Sequence, residues 1–166
     1  MRHACAMAGI AAACVMAAGI AASYAADVPV PFPAGYRDWT HVKSGVISDP
    51  AHPAFARYGG IHHIYANAKG MAGYRSGEFA DGAVLVYDLH ALALLPDGTR
   101  DQGARRHIDV MLKDEARFPG TAGWGYEEFM ADAPRVPTLT QKARAACAAC
   151  HAARAAHGHV FSEYRD

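Results

Sequence analysis

Residues 147–151 read CAACH, which places two thiols three residues apart and an imidazole directly after the second thiol. This spacing is typical of a covalent attachment site for c-type haem. In that chemistry Cys147 and Cys150, one helical turn apart, each add to a vinyl group of the porphyrin. His151 then lies under the iron as its proximal ligand. The motif therefore predicts one covalently bound haem c, with His151 as the metal ligand.

Two other uses of a pair of cysteines with this spacing compete with haem attachment. A thioredoxin-like redox pair usually opens a helix within a βαβ unit, and that context is absent from this sequence. A structural zinc site needs a second pair of ligands at a defined spacing, which the sequence does not offer. Haem attachment is therefore favoured over both.

Residues 1–25 have the three-part pattern of a secretory signal peptide. Arg2 supplies the positive start, residues 7–20 form a short apolar stretch, and small residues precede a cleavage point near Ala25. A retained transmembrane anchor is the alternative, but the apolar stretch is short for a bilayer and rich in alanine and glycine. We therefore expect residues 26–166 to form the mature protein.

Cysteine usage agrees with export. Cys5 and Cys14 leave with the signal peptide, so the mature chain keeps only the two thiols of the haem motif. Exported proteins occupy oxidising compartments, and haem is attached after export in bacteria. The sequence therefore predicts a periplasmic protein whose cysteines serve its cofactor.

Length and charge narrow the function classes further. Residues 26–166 are sufficient for one domain with a real core. Sixteen basic and sixteen acidic side chains cancel, and they form neither a basic patch nor a long charge run. We expect no nucleic-acid partner and, after cleavage, no membrane partner.

The hydrophobic pattern indicates an α+β fold. Alternation predicts strands over residues 42–47, 60–66, 83–89 (with a longer version reaching 95), 106–112 and 126–130, separated by Asp-Pro, Asp-Gly and Pro-Gly turns. Helices are predicted over 67–74 and 139–149, the second with a cap at Thr138 or Thr140. We expect a mainly antiparallel sheet with flanking helices, with the C-terminal helix carrying the motif and haem lying between that helix and the sheet.

Several segments resemble the family of cytochromes P-460 and cytochromes c′-beta. They cover nearly the whole of residues 26–166 and read YRDW at 36–39, GIHHIYAN at 60–67, GEFADG at 77–82, KDEARFP at 113–119, GWGY at 123–126 and the CAACH motif followed by VF at 160–161. The resemblance implies a largely antiparallel β fold, usually a homodimer. It also implies a five-coordinate haem c with an open distal site.

One strand position separates the two branches of that family. The branch that oxidises hydroxylamine has a lysine there, bonded covalently to the porphyrin, whereas the c′-beta branch, which binds nitric oxide and carbon monoxide, has phenylalanine. This chain has Tyr87 at that position, and Tyr58 at the position of a second aromatic cap. The resemblance implies that both tyrosines are cofactor-binding residues of the distal pocket. It also argues against a lysine cross-link, because Lys69, although near in sequence, falls in the predicted helix.

Two more distal residues follow from the resemblance. His62 stands where the hydroxylamine-oxidising branch has an arginine, and Asp109 stands where it has a catalytic glutamate. From the residues alone, Tyr87 could instead be a core aromatic and Asp109 an ion-pair partner of Arg105 or Arg106. His62 and its neighbour His63 point to opposite faces of a strand, so only one of them can face the haem.

Three functions are compatible with this reading. The first is a haem protein that binds a small diatomic or nitrogenous ligand such as nitric oxide, for scavenging or sensing. The second is an enzyme that oxidises hydroxylamine or acts as a peroxidase, with Asp109 as proton acceptor. The third is an electron carrier, which needs a sixth iron ligand. Candidates for that ligand are His62, His63, His90, His107, Met71, Met111 and Met130.

Overall fold

The computed structural model describes residues 28–165, so the predicted signal peptide lies outside the described residues. Five strands form one antiparallel sheet in the order of the sequence. They are β1 (Thr40–Ile47), β2 (Gly60–Ala66), β3 (Val84–Leu94), β4 (Arg100–Lys113) and β5 (Trp124–Met130). All five predicted strands are confirmed.

Among the described residues, three α-helices accompany the sheet: α1 (Phe55–Tyr58), α2 (Ala68–Ser76) and α3 (Gln141–Ala152). Short 3₁₀ helices occur at Tyr36–Asp38, Pro119–Thr121 and Ala155–His157. The predicted α+β class is confirmed, including a C-terminal helix that contains the CAACH motif. Within residues 28–165, no helix combines the length and the apolar character needed to span a membrane.

β4 begins earlier than hydrophobic alternation predicts, whereas the end of β3 agrees with the longer version of that strand. Pairing continues to Leu94 opposite Arg100, six residues before the predicted start of β4. The first residues of β4 are mostly exposed and polar, so they carry no apolar alternation, and backbone hydrogen bonds define this part of the strand instead. The turn is closed by Gly98, whose φ of 87° favours glycine, and by the Asp97 carboxylate, which accepts from the Thr99 amide at 2.9 Å.

The two faces of the sheet are covered by different parts of the chain. One face carries Ile64, Leu85 and Tyr126, which pack with Met71 of α2 and with Val160 near the C terminus. The other face carries a second cluster, which includes Val86, Ile108, Val110 and Phe129 and is covered by Val30 and Tyr36 of the N-terminal segment. α3 also packs on the first face, through Cys147 and Ala148, and the cavity described below lies there between the sheet and α3.

Side-chain caps fix where the two longer helices begin. The Asn67 side chain accepts from the Gly70 amide at 2.8 Å and also from the Val84 amide at 3.1 Å, which joins the start of α2 to the start of β3. Thr140 accepts from the Ala143 amide and caps α3, so the second of the two predicted caps is the one used. The helices therefore begin at positions set by local side-chain chemistry.

A buried ion pair attaches α3 to the edge of the sheet. The Arg144 guanidinium lies 2.6 Å from Oε2 of Glu127 on β5, and both side chains are buried. The other carboxylate oxygen, Oε1, accepts from the Leu139 amide at 2.9 Å. The carboxylate thus holds both the helix and the segment that leads into it.

Replacing Arg144 with methionine should destabilise the protein by about 3–5 kcal/mol, because the Glu127 carboxylate would remain buried without its partner. The double variant Glu127→Gln, Arg144→Met should recover part of that loss. Arg165 forms a similar pair with Glu163 but is exposed, so Arg165→Met should cost about 0–1 kcal/mol. Denaturant unfolding measures all three; equal losses for Arg144→Met and Arg165→Met would contradict this account.

Candidate functional site

A cavity of about 630 Å³ lies between the sheet and α3. Its walls come from β1 to β5, from the end of α1, from α3 and from the segment that follows α3. Most of its surface is apolar, with Ile64, Leu85 and Met111 on the sheet side. A mainly apolar cavity with a few polar groups is the usual form of a cofactor or ligand site.

The CAACH motif forms one wall of this cavity. Cys147, Cys150 and His151 lie in the last turns of α3, and all three line the cavity. Neither thiol is in a disulfide. Burial raises the pKa of Cys147 to about 11, so its sulfur is a protonated thiol at neutral pH.

The imidazole of His151 is oriented by the chain that returns after α3. Its Nδ1 donates to the backbone carbonyl of His159 at 2.7 Å, which leaves Nε2 available to a metal. The rings of Tyr126 and Phe161 lie 5.1 and 5.0 Å from the His151 ring and restrict its rotation. Burial lowers the pKa of His151, although the hydrogen bond to His159 opposes the shift, and the neutral imidazole is the form that binds metals.

These observations fit a haem group. The thiols and the imidazole face one apolar cavity, and the hydrogen bond at Nδ1 selects the tautomer that presents Nε2 as a ligand. His159 adopts a φ of 64°, in the left-handed region, and this conformation allows its carbonyl to reach back to His151. The segment after the motif therefore belongs to the site; in the sequence, only VF at 160–161 pointed to it, through the family resemblance.

The sheet supplies the polar wall of the cavity. Tyr87 of β3 pairs with Ile64 of β2 on one side and with Asp109 of β4 on the other. Directly paired residues share a face, so these side chains point to the cavity together. Tyr58, at the end of α1, joins them with its ring 5.6 Å from that of Tyr87. The four predicted distal residues, Tyr58, His62, Tyr87 and Asp109, all line this one cavity.

His62 is held as a neutral imidazole. Its ring stacks on Tyr87 at 4.5 Å, and its buried Nδ1 has no hydrogen-bond partner among the described residues. Gly45 on β1 leaves room for the ring, since a Cβ at that position would lie 2.7 Å from it. Burial, aided by the nearby charge of Lys43, lowers the pKa of His62 to about 4. As predicted, His63 points to the opposite face, where it contacts Ser44 and Gln102.

The two tyrosines keep their hydroxyl protons. Burial raises the pKa of Tyr87 strongly and that of Tyr58 to a lesser extent. The Tyr58 oxygen accepts from Nε of Arg57 at 3.0 Å, so its own proton remains free to be donated. Within residues 28–165, the Tyr87 hydroxyl makes no hydrogen bond. Both groups can therefore donate to a ligand in the cavity.

Asp109 has a different partner from the two that its sequence suggested. It pairs with Arg57 at 3.8 Å and lies 3.6 Å from Nε2 of His107. Arg105 instead pairs with Asp88 on the other face, and Arg106 donates to backbone carbonyls at the end of α1. The reading of Asp109 as a partner of Arg105 or Arg106 is wrong, because α1 brings Arg57 across the sheet.

Most candidates for a sixth iron ligand do not line the cavity. His90 lies on the opposite face beside Asp88, Met71 is buried in the core, and Met130 is at the surface. Of the seven candidates, His62 and Met111 line the cavity. Sequence reasoning missed four residues that surround the polar wall: Lys43, His52, Arg57 and Glu128. Their positions depend on strand register and on the segments between strands, which local sequence patterns do not show.

Fold and site together define an α+β protein with a mainly apolar cavity beside a C-terminal helix. The family model described as Cytochrome P460 matches residues 33–162, and the chain belongs to this family. Membership makes the chain a haem protein and confirms the resemblance seen in the sequence. A search of curated proteins found no match.

The lowered pKa of His62 predicts a pH dependence of stability. In the unfolded chain this histidine takes up a proton near its ordinary pKa of 6.5, but in the folded protein only near 4. Its contribution to stability is therefore complete above about pH 6.5 and is lost as the pH falls toward 4. His62→Gln should flatten this part of the profile in denaturant unfolding at several pH values; an unchanged profile would show that His62 does not carry it.

Proposed function

We propose that the protein is a periplasmic cytochrome with one covalent haem c, which binds small ligands such as nitric oxide for scavenging or sensing. Cys147 and Cys150 hold the porphyrin, and His151 is the proximal ligand of five-coordinate iron. One observation carries the proposal: the haem motif and two tyrosines, Tyr58 and Tyr87, line the same cavity.

Attachment through the motif is supported by the chemistry of the cavity wall. Cys147 and Cys150 are one helical turn apart and free of other bonds, so both can form thioethers with one porphyrin edge. The Nε2 atom of His151 is left for iron because the His159 carbonyl already occupies Nδ1. Bound haem would supply the iron at which a small ligand coordinates.

Ligand stabilisation is the role of the tyrosines in this proposal. Hydrogen-bond donors in a haem pocket favour bound ligands that carry partial negative charge. The Tyr87 hydroxyl is unused by the rest of the described chain, and burial keeps it protonated. Apolar neighbours such as Ile64 and Leu85 limit competition from water. Tyr58 and Tyr87 thus offer donors where phenylalanine would offer none.

The positions of Lys43 and Lys69 argue against a lysine–porphyrin cross-link, and so favour ligand binding over hydroxylamine oxidation. Tyr87 occupies the strand position where a porphyrin-linked lysine is expected in the hydroxylamine-oxidising branch. Lys69 donates to the Asp81 carbonyl at 2.8 Å and is engaged there. Lys43 lines the cavity, but from β1 rather than from β3. The proposal also includes export, which the signal-like sequence of residues 1–25 supports. It includes a homodimer as well, which the family resemblance supports.

Covalent attachment predicts a haem that survives denaturing electrophoresis. The protein matured with the c-type haem machinery should show haem stain at its own mass, and Cys147→Ser with Cys150→Ser should lose it. Its ferric spectrum should be high-spin with an ordinary c-type Soret band. Haem that separates from the wild-type chain would contradict the attachment, a low-spin spectrum would favour the electron carrier, and a shifted Soret band would indicate a porphyrin cross-link.

Tyr87→Phe should increase the nitric oxide off-rate of the ferrous protein about fivefold, the equivalent of one lost hydrogen bond of about 1 kcal/mol. Tyr58→Phe should have a similar or smaller effect, since Arg57 shares that hydroxyl oxygen. Tyr65→Phe is a matched control, because Tyr65 packs against Tyr36 on the opposite face. Stopped-flow ligand replacement measures the rates; unchanged rates in both distal variants would refute the role of the hydroxyls.

A further inference from the structure

We propose that His107, Asp109 and Glu128 form a binding site for a first-row divalent transition-metal ion such as Zn²⁺, at the edge of the cavity and separate from His151. One atom from each side chain lies within 4.8 Å of the others: an imidazole nitrogen and two carboxylate oxygens. Neither the haem motif nor the proposed ligand chemistry accounts for this convergence.

The sheet itself brings the three side chains together. Asp109 of β4 is paired with Glu128 of β5, and His107 precedes Asp109 by two residues, so all three lie on the cavity face. Nε2 of His107 is 3.6 Å from Oδ2 of Asp109 and 3.9 Å from Oε2 of Glu128. Ligand atoms about 2.1 Å from a tetrahedral metal are about 3.4 Å apart. The separation of His107 from Asp109 is already close to this spacing, whereas the two carboxylates, whose oxygens lie within 4.8 Å of each other, would move closer to close the site.

His107 provides the observation that points to a ligand. Its side chain is only 5% exposed, and Nε2 makes no hydrogen bond within the described part of the chain. A buried polar atom without a partner is costly, and native structures usually satisfy such atoms. The atom is directed toward two carboxylates, and a cation between the three groups would satisfy all of them.

The charges around the cluster leave room for a further cation. Two carboxylates face one guanidinium, since Arg57 lies 2.7 Å from Oε2 of Glu128 and 3.8 Å from Oδ1 of Asp109. The Arg57 side chain is 46% exposed and can move toward solvent. The Thr138 hydroxyl, 3.3 Å from the other Glu128 oxygen, helps to orient this carboxylate. Arg57 is therefore a competitor for the site.

The donor set selects the class of metal. Imidazole nitrogen suits zinc, iron and related first-row ions, while sites for magnesium and calcium are built from oxygen alone. One nitrogen and two oxygens leave further coordination positions for water. Because Asp109 also lines the cavity, a metal bound here would place positive charge at the edge of the cavity.

A different arrangement would satisfy the same atoms without a metal. The Nε2–H tautomer of His107 could donate to Asp109 or Glu128, while Arg57 pairs with both carboxylates. The two arrangements differ in what removal of Arg57 does. Loss of a competing cation should strengthen metal binding, whereas a cluster that only makes ion pairs gains no affinity for metal.

Zinc binding to the mature haem-containing protein, freed of metals with a chelator, tests the proposal. Isothermal titration with Zn²⁺ should give one site per chain at micromolar dissociation constant. His107→Gln and Glu128→Gln should each weaken it at least tenfold, and Arg57→Ala should tighten it at least threefold. His63→Gln, on the opposite face, is the matched control and should leave the affinity unchanged.

Outcomes that overturn the proposal are equally specific. The site does not exist if the wild type binds no zinc at 100 μM, roughly a hundred times a micromolar constant, or if His107→Gln and Glu128→Gln bind as the wild type does. Arg57→Ala keeps the test decisive if the other variants do not fold, because unchanged or weaker binding in this variant contradicts competition. Thermal unfolding and the Soret spectrum verify that each variant is folded.

Discussion

The cavity depends on the buried ion pair between Glu127 and Arg144. β5 is the edge strand, and α3 carries the haem motif, so this contact fixes the distance between the motif and the sheet. Its second carboxylate oxygen holds the backbone at Leu139, just before the helix. A buried pair of this kind contributes little net stability but specifies one arrangement, since neither charge can stay buried alone. Here the arrangement that it specifies is a cavity with the CAACH motif on one side and the sheet on the other.

Strand register then determines the chemistry of that space. The pairing of Tyr87 with Asp109, and of Asp109 with Glu128, puts a hydroxyl and two carboxylates in one row across three strands. A slip of one residue would send this row to the opposite face of the sheet, away from the cavity. The hydrophobic residues that alternate with the row pack beneath the sheet and prevent such a slip. The same alternation of side chains along the strands therefore places hydrophobic residues in the core and polar residues in the site.

Local patterns predicted the elements well and the contacts between distant elements poorly. The strands, α3 and its Thr140 cap follow from alternation and capping chemistry, which act within a few residues. Arg57 could not be placed in this way, because it reaches Asp109 and Glu128 only through the position of the four-residue helix α1. The same limit applies to the hydrogen bond from His151 to His159, which needs a left-handed backbone at a residue that is not glycine. The distal residues were reached through the family resemblance, which carries information about tertiary pairing.

Burial fixes the protonation states of the titratable side chains in the cavity. It raises the pKa of Tyr87 and lowers that of His62 to about 4, so at neutral pH the first remains a donor and the second remains uncharged. The two rings stack, and a neutral imidazole avoids placing a charge in an apolar wall. Charge is concentrated instead at one edge, where Arg57 faces Asp109 and Glu128. Because charged groups act over longer distances than hydrogen bonds, a change in that cluster would alter the potential in the cavity without altering its shape.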